Sequence, residues 1–298
     1  MKNKPKLFML VGLSGSGKST FAQKLAKEEK AIIVSSDAIR EEVFNNYEDQ
    51  EHNAEIFQIY HKRIRKALKN KQNVIADATN LTMKSRRSTL MNVKGLDVEK
   101  ICYILPKHIL VCIEDNKNRE HPVPDNVLDK QIRKFQVPFY NEGFDKIIIK
   151  NFHNRASMIN VIHVIKDFDQ KTPYHNKTLG DHCYYTAQLF EKYNYPRYYM
   201  LSAMYHDVAK LYTQSFDEDG IAHYFGHAEY SAYLFLSELH DTFTDLSSDE
   251  FLDICFLINY HMLPFDWKTE KSKQKWKERF GEYKYQMLLD FHECDIAR

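Results

Sequence analysis

Two sets of residues in this chain have types and spacings suited to chemistry. The first is GLSGSGKS over residues 12–19, which fits the pattern GxxxxGK[ST]. Glycines at these intervals let backbone N–H groups turn inward on a phosphate, and a following helix adds the partial positive charge of its N-terminus. Lys18 would reach the β- and γ-phosphates of a nucleoside triphosphate, and Ser19 would hold Mg²⁺. The predicted loop for ATP and Mg²⁺ is Gly12, Ser14, Gly15, Ser16, Gly17, Lys18, Ser19 and Thr20. The second set is His182, the doublet His206-Asp207, and Asp295. Histidine and aspartate are the ligands that a divalent metal takes when it must also keep water.

Each set needs elements to hold it. Leu7–Val11 is an apolar run of strand length, and from Ser19 onward Phe21, Ala22, Leu25 and Ala26 fall on one helical face. Strand, glycine loop and helix is the context that distinguishes a phosphate site from an ordinary Gly/Ser turn. Further short apolar strands are predicted at Ala31–Val34, Asn73–Ala76, Ile101–Leu105 and Phe144–Lys150. In a parallel sheet, ligands bind beyond the carboxyl ends of the strands. Asp37, just past the second strand, could stand beside the γ-phosphate or cap the helix starting near Ile39, and the two roles are compatible. Arg40 lies three residues on, so it shares a helical face with Asp37. Asp77 ends the third strand and could act through the Mg²⁺ water shell, with Asn80 and Arg87 close behind.

Residues 54–70 read as an amphipathic helix with Lys62, Arg63, Lys66 and Lys69 mostly off the apolar face. That side is either a solvated basic face or a contact for a phosphate backbone. The polar segment from Asp115 to Pro124 precedes another helical run to about Lys134. It is either a surface loop or a lid in which Arg119 neutralises phosphoryl charge.

From Thr178 onward helical periods dominate, at 182–193, 198–210, 227–240, 249–261 and 283–297. His182, His206, Asp207 and Asp295 each fall on one of these predicted helices, and ligands from separate helices can converge inside an all-α domain. Neighbours on a helix point about 100° apart, so His206 and Asp207 reach one ion only if the helix presents its edge. His175, His223, His240 and His292 read as ordinary hydrogen-bonded histidines.

At 298 residues the chain suggests two domains, with the seam set near 152–165 by the end of the strand pattern. The net charge of +1 excludes a globally basic nucleic-acid binder, so any such surface must be local. Five scattered cysteines, never spaced CxxC, suggest free thiols in a reducing compartment. There is no apolar run of about 18 residues and no signal-peptide pattern at the start. The expectation is a cytoplasmic protein with no membrane contact.

In order and spacing, GLSGSGKST at 12–20, SSDAIR at 35–40, DATN at 77–80 and NKNREHPVP at 116–124 resemble the kinase domain of polynucleotide 5′-hydroxyl kinases of the bacteriophage and bacterial end-healing type. The resemblance implies an α/β P-loop kinase domain over 1–152, with a parallel, adenylate-kinase-like sheet. It implies that Asp37 is the general base for the 5′-OH, that Arg40 holds the acceptor phosphate, and that Arg119 contacts the ATP phosphates. The second half is similar to the HD phosphohydrolase superfamily, with stations at LGDHCYYTA, MLSAMYHDVAKL, HYFGHAEYSA, LINYHMLP and LLDFHECDIA. That resemblance implies an all-α HD domain over 153–298. His182, His206, Asp207 and Asp295 would hold one metal, and His227 and His261 a second metal or a phosphate, while Lys210 would polarise the phosphoryl group. The metal would be Mn²⁺, Ni²⁺, Co²⁺ or Zn²⁺.

Together these imply a bifunctional end-healing enzyme. One site would phosphorylate 5′-OH ends of RNA or DNA, the other would remove a 3′-phosphate or 2′,3′-cyclic phosphate, and a separate ligase would seal. A homodimer is left open. Two alternatives remain: a nucleoside or nucleotide kinase fused to a nucleotide phosphohydrolase, and a non-catalytic ATP-gated RNA-binding regulator.

Overall fold

A computed structural model of the chain describes residues 4–45, 51–150, 161–173, 177–239 and 242–297. His175 and His240 lie outside these residues. The described chain forms two compact units. Residues up to Leu128 and again from Pro138 to Lys150 make the first, and Asp129–Val137 with the residues from Val161 onward make the second.

The first unit is built on five parallel strands: β1 (Lys6–Val11), β2 (Ala31–Ser35), β3 (Asn73–Asp77), β4 (Glu99–Ile104) and β5 (Lys146–Ile149). Their order is β2-β3-β1-β4-β5, and every pairing is parallel. β1 is central, and Phe8, Met9, Leu10 and Val11 are wholly buried, which is why its sequence is a continuous apolar run rather than an alternation. Helices α1 (Lys18–Glu29), α2 (Ser36–Phe44), α3 (Asn53–Lys69), α4 (Met83–Asn92) and α5 (Ile109–Lys117) belong to the same unit, and α6 (Asp125–Ile132) begins in it and ends in the second. Alternate residues of β1 serve the two faces. Leu7 packs with Ile56, Tyr60 and Ile64 of α3, whereas Phe8 and Leu10 pack with Ala22 and Leu25 of α1.

The second unit is helical: α7 (Val161–Ile165), α8 (Leu179–Lys192), α9 (Arg197–Tyr205), α10 (Lys210–Thr213), α11 (His227–Glu238), α12 (Ser248–Tyr260), α13 (Glu270–Phe280) and α14 (Glu282–Asp295). α8 lies against α9, α9 and α11 against α12, and α14 against α8 and α12. Three of these helices start at side-chain caps. Thr178 accepts from the Asp181 amide, Ser247 and Glu250 form a capping box, and Thr269 accepts from the Ser272 amide. A two-stranded antiparallel hairpin, β6 (Ser215–Phe216) and β7 (Ala222–His223), interrupts the helical pattern.

Asp129–Val137 crosses the expected seam by packing into this second unit. Asn259 of α12 accepts from the Val137 amide at 2.6 Å and donates to the Phe135 carbonyl at 3.1 Å. The Phe135 ring meets Tyr233 edge-on, and Arg133 donates to the carbonyls of Phe225 and Tyr212. Gly226 is required at this point: its φ is +80°, and a Cβ would lie 2.8 Å from the Arg133 Cβ.

Candidate active sites

The phosphate loop sits between β1 and α1, at the carboxyl end of the sheet. The Gly12 amide donates to the Thr79 carbonyl at 3.2 Å, and Lys18 Nζ donates to the Leu13 carbonyl at 2.6 Å. A Cβ on Gly12 would meet Ser16 Oγ at 2.6 Å, and one on Gly15, at φ +78°, would meet the Cys112 carbonyl oxygen at 2.2 Å. The loop therefore tolerates only glycine where it closes. Ser14 and Ser16 are buried, whereas Ser19 and Thr20 are exposed. Burial pushes the Lys18 ammonium below its usual range despite the opposing charge of Asp77. Asp77 Oδ2 accepts from Ser19 Oγ at 3.4 Å, and burial pushes its carboxyl up, with Lys18 opposing. A buried ammonium, a buried carboxylate and a hydroxyl at one helix N-terminus suit a magnesium nucleotide, whose charges complete the set.

Asp37 is not the N-cap of α2. Ser35 takes that role by accepting from the Ala38 amide, and Asp37 stands in the first turn. The Arg40 guanidinium donates to Asp37 Oδ1 at 2.7 Å and to Asn53 Oδ1 at 2.7 Å. Arg40 is buried, while the Asp37 side chain is 43% exposed. Arg119 contributes to the electrostatic field at both Lys18 and Asp77, so its charge lies within reach of the phosphate loop. The segment that carries it is stapled by Asn116, whose buried amide donates to the Val123 carbonyl and whose oxygen accepts from the Val123 amide.

Asn80 and Arg87 are placed differently from a ligand-facing pair. The Asn80 amide donates to the carbonyls of Leu10, Ala76 and Ala78, holding the turn after β3 to β1. Arg87 lines a cleft of about 250 Å³ with Leu90, Lys94, Gly95 and Lys100, beside the start of β4 rather than its ligand-facing end. Its neighbour Arg86, fully buried, donates to both Glu142 oxygens and to the carbonyls of Asn80 and Leu81. On α3, Arg63 forks onto Glu42. That part of the basic face is spent on a neighbouring helix.

In the second unit, all six expected ligands come together at helix ends. His206 caps the C-terminus of α9, and Asp207 follows in a turn. Neither lies within the helix predicted over 198–210. α9 ends at Tyr205, His206 keeps a right-handed helical backbone as its C-cap, and at this helix end Asp207 Oδ2 comes within 3.3 Å of His206 Nε2. His261 likewise caps α12, Asp295 is the last residue of α14, and His227 is the first of α11.

Asp207 lies at the centre. Its Oδ2 is 3.3 Å from His206 Nε2 and 3.8 Å from His182 Nε2, and its Oδ1 is 3.1 Å from His227 Nε2 and 3.5 Å from His261 Nε2. Asp295 Oδ1 is 3.1 Å from the Nε2 atoms of both His182 and His206. Three of the rings are set by backbone. Nδ1 of His206, His227 and His261 faces the carbonyls of Ala203, Tyr224 and Ile258 at 2.7–2.8 Å, which aims each Nε2 at the carboxylates. The Nε2 atoms pair closely, at 3.2 Å for His182–His206 and 3.4 Å for His227–His261. At most one nitrogen of each pair can donate to the other. Asp207 Oδ1 and Asp295 Oδ1 are buried with no hydrogen-bond partner.

Burial opposes ionisation of Asp207 and Asp295. His206, with Lys210 beside Asp207, outweighs it and holds both carboxyls well below the carboxylate range. Orphaned carboxylate oxygens among inward-aimed ring nitrogens fit a divalent cation, and the sets His182–His206–Asp207, His206–His261–Asp295 and Asp207–His227–His261 each have ligand atoms within 4.8 Å of one another. Lys210 Nζ lies 2.6 Å from Asp207 Oδ2 and 2.8 Å from Gln170 Oε1, so it braces the central aspartate.

Residues 7–138 match the family model described as an AAA domain. The chain is 32% identical over 148 residues to the L-seryl-tRNA(Sec) kinase of Methanococcus maripaludis, covering 47% of this chain. It spans just over half, 56%, of that curated relative. Among solved structures, it resembles a chain of the Pnkp1/Rnl/Hen1 RNA repair complex at 24% identity and TM-score 0.41, covering 45% of each chain. It resembles a gluconokinase from Sinorhizobium meliloti 1021 at 18% identity and TM-score 0.36, covering 50% of this chain and 83% of that one. A fungal RNA kinase matches at 10% identity and TM-score 0.35, covering 90% of this chain and all of that one. The first half is a parallel-sheet P-loop kinase-like domain, and the second is helical. Among the described residues, no helix is long and apolar enough to cross a membrane.

Proposed function

We propose that the chain is a bifunctional nucleic-acid end-healing enzyme, with a 5′-hydroxyl kinase over 1–152 and a metal-dependent phosphoesterase over 153–298. The observation that carries the reading is the cluster around Asp207. Five further side chains from separate elements point chelating atoms at or beside it. A kinase-like domain on the same chain gives that cluster a partner activity.

In the kinase, ATP with Mg²⁺ would bring the phosphoryl group to residues 12–20. Lys18 and Arg119 meet its negative charge, and Asp77 with Ser19 orients the magnesium side. Asp37 takes the proton of the attacking hydroxyl, a contribution of typically about 10²–10⁴ in rate. Arg40 fixes Asp37 and would bring its positive charge to an acceptor phosphate. In the phosphoesterase, His182, His206, Asp207 and Asp295 would hold a divalent ion, and His227 and His261 a second ion or a phosphate oxygen. Such an ion polarises a phosphoester and makes water acidic enough to lose a proton near neutrality. Lys210 keeps Asp207 ionised throughout.

An RNA carrying 5′-OH and 2′,3′-cyclic phosphate ends, incubated with ATP and Mn²⁺ or Ni²⁺, tests both halves. The expected products carry 5′-phosphate and a dephosphorylated 3′ end. Unchanged ends at both termini would reject the reading. A second reading is favoured by the curated relative, a kinase of L-seryl-tRNA: the acceptor hydroxyl is borne on an RNA without being its 5′ end. Competition between a 5′-OH oligonucleotide and a seryl-tRNA for labelled phosphate separates the two.

A further inference from the structure

The segment Ala222–His227 alternates between the metal cluster and solvent. Tyr224 turns inward: its hydroxyl donates to the Gln170 carbonyl at 2.5 Å, its ring lies 5.4 Å from Lys210 Nζ, and its carbonyl faces His227 Nδ1. The residues on either side turn outward. The rings of His223 and Phe225 lie 6° from parallel with centroids 5.6 Å apart, and Phe225 is 74% exposed, the highest value among the large apolar side chains of the described residues. The pair is held from below. His223 Nε2 meets Asp217 Oδ2 at 2.8 Å, and the Phe225 carbonyl accepts from Arg133. An aromatic ring so exposed, lying parallel to an imidazole, has no role in the core. Two residues of chain span at most about 7 Å, so the Phe225 backbone lies within one nucleotide's reach of His227.

We infer that Phe225, backed by His223, is a stacking platform for the nucleobase next to the phosphate handled at the Asp207 cluster. The inference rests on the phosphoesterase reading and gives that site a substrate class: nucleotidyl phosphoesters rather than phosphorylated sugars or proteins. Base–aromatic stacking tolerates any base, because every base has a π-face, and so the platform recognises a nucleotide without reading its sequence. Phe216 supplies an internal control. It is 57% exposed on the same hairpin, but its cross-strand partner is Ala222, whereas His223 pairs with Ser215.

The test uses the full chain and two readouts. The first is binding of a short RNA 3′-phosphate whose terminal base is 2-aminopurine, followed by fluorescence quenching. Wild type and Phe216→Ala should quench, Phe225→Ala should not, and Phe225→Tyr should restore the signal. The second is Mn²⁺-dependent phosphate release from that RNA and from p-nitrophenyl phosphate. Phe225→Ala should raise KM for the RNA about tenfold or more and leave the aryl phosphate unchanged. No quenching by wild type, or equal quenching by Phe225→Ala, overturns the platform. Release of phosphate from neither substrate by wild type overturns the phosphoesterase reading, and the fluorescence arm still decides the platform.

Discussion

Arg40 and Asp37 answer each other across one turn of α2, at 2.7 Å, with the arginine buried and the aspartate open to solvent. A buried guanidinium beneath a half-exposed carboxylate fixes the direction of that carboxylate, which suits a proton acceptor. Asp37→Asn keeps the shape and removes the base. It should lower phosphoryl transfer to a 5′-OH oligonucleotide by about 10²–10⁴ while nucleotide affinity stays within a few-fold. Steady-state kinetics with equilibrium ATP titration checks this, and near-normal turnover would remove Asp37 from the role.

His206→Ala and Asp207→Ala should each abolish phosphoester hydrolysis and leave kinase turnover intact. Metal content by elemental analysis should fall in parallel. Loss of both activities together would mean that the substitutions unfold more than the cluster.

Removing divalent ions should lower the melting temperature of the full chain, and Mn²⁺ should restore it. A ligand that binds only the folded state stabilises by about 2.7 kcal/mol at a hundredfold excess over its Kd. The cluster of buried carboxylate and imidazole groups around Asp207 and Asp295 exists only in the folded chain, so an ion held there would favour the folded state. Identical melting curves with and without metal would argue against a resident ion.

The Arg86–Glu142 pair is fully buried, and breaking such a pair costs about 3–5 kcal/mol. The two halves should not be equal. Glu142 has its carboxyl pushed up by burial, against Arg86, and can take a proton when left alone, whereas a stranded guanidinium cannot lose one. Glu142→Met should therefore destabilise more than Arg86→Met in urea unfolding.

Gly15→Ala combines a positive φ with a Cβ 2.2 Å from a backbone oxygen, and that oxygen belongs to Cys112 of α5. The loop must open to accept the methyl group. ATP binding by calorimetry should fall by at least an order of magnitude, with the second activity untouched.

The phosphate loop was legible in the sequence because its signal is local: an apolar strand, glycines at fixed intervals, then a helical period. The residue types that gather around Asp207 could be picked out of the second half of the sequence, but not their place at helix ends. A helical period does not show where the helix stops when no Gly or Pro marks the end, and MLSAMYHDVAKL has neither. Helix α13 leaves little trace in the sequence because EKSKQKWKERF has only Trp276 and Phe280 as apolar residues, and it buries only Phe280. Arg86 was passed over for Arg87 because its partner, Glu142, lies far along the chain. Asn116 and Asn259 left a fainter trace, as amides inside otherwise apolar or helical runs.

The clasp of Asn259 on Phe135 and Val137 bears on how this gene can be divided. The peptide just after α6 is encoded in the first half, and its side chains are owned by the second. A cut after residue 152 would strip α12 of a buried partner and leave Phe135 and Val137, both wholly buried in the intact chain, without cover. The interleaving of the chain ties the folding of the helical unit to a peptide that precedes the last strand of the sheet.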